Sequence, residues 1–183
     1  GGYRESAAPD PVNEYGRSKL FGEQSARENC SRVAIIRTTM FGLKLPPRIG
    51  MMESMVAALR DGKPMTRFVD QYFTPLYTGQ LSEVILHIAQ RALTGLFHVG
   101  SADKVSRLEF CKQVAEVFGL SDSQILPGPF RQIDGLAPRP QDTSLICERI
   151  KTQMVMGLPT VREGLAGLKQ DWLGVRREGM ALH

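Results

Sequence analysis

The 183-residue chain lacks any apolar stretch near the ~18 residues that a membrane-spanning helix needs. Its longest greasy run, residues 84–89, already contains His87. Cysteine is scarce. Cys30, Cys111 and Cys147 form an odd set at wide spacing, which fits neither a disulfide framework nor a zinc site. A reducing compartment, the cytoplasm, is therefore the expected setting. Histidine is equally scarce, with His87, His98 and His183, and no His, Cys, Asp and Glu fall at metal-ligand spacing, so no metal is expected. No charge sign dominates: 23 basic against 19 acidic residues leave +4, which suits small anions and is too little for a nucleic-acid surface. Repeats and low-complexity tracts are absent. So is any leader-like segment, and the first residue is glycine rather than methionine, which points to a removed segment or a piece of a longer protein. What remains, 42% hydrophobic and 23% charged residues, is ordinary globular composition for a single domain.

Residues 1–14 read as loop, punctuated by Pro9 and Pro11, and Asn13 is placed to cap a helix over residues 14–29. The run Val33, Ala34, Ile35, Ile36 then predicts a strand over residues 32–38 buried on both faces, and helix followed by such a strand is the pattern of a parallel α/β sheet. Met51, Met55 and Leu59 predict an amphipathic helix stopped by Gly62. Short strands are expected over residues 65–69 and 96–99, with residues 72–77 a strand or an ordered loop. Between them a helix over residues 79–92 sets Leu81, Ile85 and Ile88 on one face. Ser106 with Glu109, and Thr160 with Glu163, are capping boxes opening two further helices. The first carries Leu108, Cys111, Val114, Ala115 and Phe118 on its apolar stripe, and the second Val161, Leu165, Leu168 and Trp172. Residues 127–140 read as loop. Three strands and one possible strand are too few for a complete doubly wound sheet, although every helix is expected to cover one.

Tyr15 and Lys19 stand four residues apart on the first helix and so share one face. Free tyrosine has a pKa near ~10, and an ammonium beside it favours the phenolate, which lets the pair move a proton at a hydroxyl or carbonyl oxygen. The spacing alone is weak, and a surface contact explains it as well. The surrounding string is far more specific: Pro11-Val12-Asn13-Glu14-Tyr15-Gly16-Arg17-Ser18-Lys19 resembles the active-site helix of the extended short-chain dehydrogenases/reductases, most closely the dTDP-4-dehydrorhamnose reductase-like branch. Ile35-Ile36-Arg37-Thr38-Thr39-Met40-Phe41-Gly42, Asp70-Gln71 with Pro75, Gly95-Leu96-Phe97-His98 with Ser106-Arg107-Leu108-Glu109-Phe110, and Arg139-Pro140 with Ser144-Leu145 resemble later elements of that branch, in the same order along nearly the whole chain.

The resemblance implies an α/β fold: the C-terminal part of a Rossmann-like NAD(P)-binding fold with a small substrate-binding subdomain. Residues 1–42 and about 70–100 would join the sheet layer, and about 43–69 and 101–183 would form the substrate part. It implies NAD or NADP as cofactor and a keto-sugar nucleotide as substrate. Tyr15 would be the catalytic acid. Lys19 would hold the nicotinamide ribose and tune Tyr15. Met40 falls where the branch often places an aromatic residue against the sugar, a departure that bears on which sugar is taken. Arg139 is placed to meet the diphosphate, because a guanidinium fork suits phosphate oxygens; a structural ion pair is the other reading. The family's Gly-rich phosphate turn and its catalytic Ser or Thr lie well upstream of the tyrosine. Only fourteen residues precede Tyr15 here, so residues 1–183 are expected to be inactive alone and prone to self-association. Two alternatives share the resemblance: a non-catalytic regulatory subunit of the methionine adenosyltransferase β type, bound to a partner, and a sugar-nucleotide epimerase or dehydratase. A homodimer is a further expectation. Outside the motif, Met51, Met52, Met55 and Met65 read as core, the three cysteines as buried small hydrophobes, His98 as a core-edge residue and Arg176-Arg177 as a solvated tail.

Overall fold

The computed structural model describes residues 1–44, 49–132, 135–154 and 157–181, with side chains described as far as residue 174. Helix α1 (Glu14–Asn29) leads into strand β1 (Ala34–Phe41). There follow α2 (Met51–Arg60), β2 (Met65–Phe68), β3 (Tyr72–Phe73), β4 (Pro75–Tyr77), α3 (Thr78–Gln90) and β5 (Gly95–Val99). The chain closes with β6 (Val105–Ser106), α4 (Arg107–Phe118), β7 (Ile125–Gly128), α5 (Glu148–Lys151) and α6 (Val161–Ala181). The expected parallel sheet is present, in the order β4-β1-β5. Two small ribbons stand apart from it, β2 parallel to β7 and β3 antiparallel to β6. β7 takes up Pro127, which was expected in loop; a proline is tolerated at the edge of so short a ribbon.

Two apolar clusters divide the interior. One joins α3 to β4 and β5 through Leu76, Leu81, Val84, Ile88, Phe97 and Val99. The other gathers α2, α4 and the start of α6 around Phe110, with Met52, Val56, Val114, Leu165 and Leu168. Phe41 and Tyr77, at the ends of β1 and β4, reach from the sheet into this second cluster, and Phe41 meets Phe110 edge-on at 5.2 Å. Helix α6 comes close enough to cover them because Gly164 has no side chain: a Cβ there would lie 3.1 Å from Phe41 Cζ. The Tyr77 hydroxyl donates to Asp171 of the same helix, and burial together with that carboxylate raises its pKa.

The sheet edges are treated unequally. On the outer side of β5, Arg149 donates to the carbonyls of Thr94 and Leu96, and the Glu5 carboxylate accepts from the His98 N–H. These side chains take the place of a neighbouring strand. The opposite edge of β1 pairs with β4 only over Thr39–Phe41, leaving residues 34–38 without a partner there among the described residues.

Several expectations change. α1 buries no residue, although every helix was expected to cover a sheet. In β1 only Ile35 and Phe41 are buried, because the open edge exposes the flanks of Ala34 and Ile36. Cys30 is exposed because it caps α1, while Cys111 and Cys147 are buried. The buried stripe of α2 begins at Met52 and runs through Met55, Val56 and Leu59, so Met51 is exposed. Val84 rather than Ile85 lies beneath α3. Phe110 joins the buried stripe of α4, with Leu108 and Phe118 only partly covered. His98 is completely buried, its Nδ1 3.0 Å from the Tyr3 carbonyl. His183 and the Arg176-Arg177 side chains lie outside the described residues, as do Pro46 and Pro47.

Both capping boxes form. The Ser106 hydroxyl accepts the Glu109 N–H at 3.1 Å, the Glu109 carboxylate accepts the Ser106 N–H at 2.6 Å, and Gly119 ends the helix at φ +68°. Ser106→Ala is therefore expected to lower stability by about 1–2 kcal/mol, read as a fall in the midpoint of thermal or urea unfolding. An unchanged midpoint would show that the buried cap contributes nothing.

Candidate active site

The N-terminal end of α1, which carries Tyr15 and Lys19, is built by its cap. Asn13 is extended, and its side-chain oxygen accepts the Gly16 N–H at 2.8 Å; Glu14 adds a negative charge to the first turn. Tyr15 and Lys19 then project from the first two turns, with Lys19 Nζ 5.2 Å from the centre of the Tyr15 ring. Tyr15 is 71% exposed, so its hydroxyl is open to a ligand. Neither side chain is in an ion pair among the described residues.

Glu23 and Arg37 fix the level of these groups. Arg37 Nε and Nη2 each donate to one Glu23 oxygen at 2.7 Å, a forked pair joining the middle of α1 to the middle of β1. Hydrogen bonding to Glu23 raises the already high pKa of Arg37. From Glu23 back to Tyr15 is about 12 Å of helix, and from Arg37 forward to Met40 is about 10 Å of strand. Because α1 and β1 run in opposite directions, Tyr15 and Met40 come to the same end of the sheet, beyond the C-terminal ends of its parallel strands. Open α/β sheets bind ligands at that end. Met40 is 61% exposed there, next to Leu76 of β4.

Arg139 lies on the loop before α5. Its main chain is held twice by Gln132: the Arg139 N–H donates to Oε1 at 3.0 Å and its carbonyl accepts from Nε2 at 2.6 Å. This loop reaches α1 directly, since Asn13 Nδ2 donates to the Pro138 carbonyl at 2.6 Å. The structure thus links the Tyr15 helix to the Arg139 segment.

Two cations missing from the sequence reading stand with Arg139. The Arg107 guanidinium lies over the face of Phe73, 3.9 Å from the ring centre, and the Arg107 main-chain N–H donates to the Gln71 carbonyl. Burial, then the positive fields of Arg139 and Arg67, pull its pKa below the usual arginine value. None of Arg67, Arg107 and Arg139 is in an ion pair among the described residues, so Arg107 sits in the positive fields of two other uncompensated guanidinium groups. One signal was available: Arg107 opens α4, where a cation opposes the helix dipole. An open apolar groove of about 390 Å³, lined by Arg32, Ala34, Ile36 and Ile85 among others, lies at the other end of β1 from Tyr15. No group of His, Cys, Asp and Glu among the described residues is arranged to hold a metal ion, and no described helix is long and apolar enough to cross a membrane.

Comparison with known proteins agrees with this architecture. A probable low-salt glycan biosynthesis reductase of Haloferax volcanii is 28% identical over 172 residues, covering 92% of this chain and 57% of the relative. The β subunit of methionine adenosyltransferase 2 from Danio rerio is 29% identical over 156 residues, covering 81% and 48%. Among solved structures, the dTDP-4-dehydrorhamnose reductase of Bacillus anthracis, in complex with NADP, superposes with a TM-score of 0.84 at 24% identity. That match covers 93% of this chain and 59% of the other. The chain spans about half the length of the curated relatives it matches. The family model of the RmlD substrate binding domain matches residues 1–172, and the chain belongs to that family.

Proposed function

We propose that this chain is the C-terminal part of an NAD(P)-dependent reductase acting on a keto-sugar nucleotide. In this reading residues 1–42 and about 70–100 belong to the cofactor-binding sheet layer, and about 43–69 and 101–183 to the substrate part. The observation that carries the reading is the Tyr15–Lys19 pair at the C-terminal end of a parallel sheet, linked through Asn13 to an arginine-bearing loop.

The residues present fit part of a dinucleotide site. Lys19, with no acidic partner among the described residues, is free to donate to ribose hydroxyls, and Tyr15 is exposed beside it. A nicotinamide bound there would supply hydride. Tyr15 donates its hydroxyl proton to the oxygen of the substrate carbonyl as that oxygen gains charge. Lys19 favours the phenolate left behind and so lowers the cost of that transfer. Arg139, with Arg107 and Arg67, neutralises the diphosphate and holds the sugar against Tyr15. Met40 offers the sugar an adaptable thioether rather than a flat ring. The open edge of β1 and the uncovered face of α1 support a further sheet-forming segment, where a Gly-rich turn would hold the pyrophosphate.

A second reading, a regulatory subunit, is favoured by the similarity to the methionine adenosyltransferase β subunit. One substitution separates the two. In the chain joined to its dinucleotide-binding segment, Tyr15→Phe keeps the ring and removes the proton, so turnover should fall 10²–10⁴-fold with cofactor affinity little changed. Lys19→Met should lose both. Full turnover by the Tyr15→Phe protein would remove the role given to Tyr15.

Among the described residues of the isolated chain, Lys19 beside Tyr15 is the charged group proposed to contact a dinucleotide. A single charge-assisted bond supplies only about 1.5–3 kcal/mol before ordering costs, corresponding to affinity weaker than millimolar. Calorimetric titration of the isolated chain with NADH or NADPH should show no micromolar binding. A micromolar constant would reveal a second cofactor site within these residues.

A further inference from the structure

The segment carrying Arg139 is held in an unusual way. Three consecutive carbonyls, those of Pro138, Arg139 and Pro140, each accept a hydrogen bond from a side-chain amide. The donors are Asn13 Nδ2 at 2.6 Å, Gln132 Nε2 at 2.6 Å and Gln71 Nε2 at 3.2 Å. They come from three separate parts of the chain. Pro138 and Pro140 fix their own φ and bias Ala137 and Arg139 toward extended backbone, so the segment is a stiff rod whose position depends on where these amides hold it. Gln132 belongs to the same loop, and Gln71 to the link between β2 and β3, beside Arg107. Asn13 alone among the three donors stands on the element that carries Tyr15.

The orientation of the Asn13 amide is fixed from both sides. Its oxygen accepts from Gly16 and its nitrogen donates to Pro138, so turning the amide over would set oxygen against oxygen and N–H against N–H. The cap uses one end of the group and the bridge uses the other. Serine or aspartate would serve a helix N-cap as well as asparagine. Neither reproduces the bridge: aspartate has no N–H to donate, and the serine hydroxyl lies a bond too short.

We infer that Asn13 is a positioning residue for substrate: through the Pro138 carbonyl it sets the distance between the Tyr15 hydroxyl and the Pro138-Arg139-Pro140 rod, and so aligns the reacting carbonyl of a bound sugar nucleotide with its proton donor. This rests on the reductase reading for its functional consequence, while the bridge itself is a property of the fold. A displacement of about 1 Å between a binding group and a catalytic group is enough to cost on the order of 100-fold in rate.

The test uses Asn13→Ser and Asn13→Ala in the chain joined to its dinucleotide-binding segment. Serine keeps the cap and loses the bridge; alanine loses both. Two readouts are needed: steady-state kinetics with a keto-sugar nucleotide, and amide hydrogen exchange resolved at Arg139 and the first turns of α1. Asn13→Ser is expected to keep the wild-type melting temperature, α1 protection and cofactor affinity. It should raise exchange at Arg139, whose N–H is bonded to Gln132, several-fold and lower kcat/KM for the sugar nucleotide roughly tenfold or more, while Asn13→Ala should also loosen α1. If the unsubstituted protein shows no reductase turnover, the reductase reading fails, and the exchange data still decide the bridge: faster exchange at Arg139 in Asn13→Ser upholds it. Wild-type exchange at Arg139 in Asn13→Ser, or wild-type kcat/KM in an active protein, overturns the positioning role, because a residue that only caps α1 would give that result.

Discussion

The forked pair between Glu23 and Arg37 governs the placement of the candidate site. α1 buries no side chain fully, with Leu20 and Ala26 only half-buried, so hydrophobic packing holds the helix that bears Tyr15 and Lys19 weakly. Its height against the sheet is set instead by two parallel N–H···O bonds of 2.7 Å between largely covered side chains. A bidentate guanidinium–carboxylate contact is directional and fixes both distance and rotation. A short link between α1 and β1 closes the geometry at one end, and the Asn13 bridge closes it at the other. Losing the fork would free the helix to slide, and Tyr15 with it.

The rest of the molecule is built more conventionally, and that contrast has functional weight. β4, β5, α3 and α5 share one apolar cluster, while α2, α4 and α6 share another, with Phe41 and Tyr77 reaching between them. This packed body carries Arg67, Arg107 and Arg139, none of them ion-paired among the described residues, and leaves Met40 exposed near the C-terminal end of β1. The weakly packed α1 is tied to β1 through Arg37, and one edge of β1 has no partner along residues 34–38 among the described residues. The polar connections between body and helix, Arg37 with Glu23 and Asn13 with Pro138, are therefore specific rather than merely cohesive.

Much of the fold was legible in the sequence because its signals are local. Asn13, Ser106 with Glu109, and Thr160 with Glu163 mark helix starts through bonds spanning three residues, and each forms as read. The parallel sheet followed from a helix leading into a β-branched run. Burial was less legible, because it depends on neighbours: periodicity alone cannot say that α1 buries no residue fully, that Met51 falls just outside its stripe, or that Cys30, capping α1, is exposed. The site divides in the same way. Tyr15 and Lys19 share one helix face and could be paired from spacing. The companionship of Arg139 with Arg67 and Arg107, and the three amides on consecutive carbonyls, join residues as far apart as Asn13 and Pro138, which no short motif encodes.

On the proposed reading, this chain supplies the proton donor and substrate platform for a net hydride transfer. Joined to its dinucleotide-binding segment and given NADPH deuterated at the nicotinamide C4 together with a keto-sugar nucleotide, it should place one deuterium on the new carbinol carbon of the sugar. Mass spectrometry of the product reads this directly. Conversion without label would mean that hydride is recycled, as in epimerisation or dehydration, and no conversion at all would mean that the fold serves a partner rather than a reaction; either result would contradict the account.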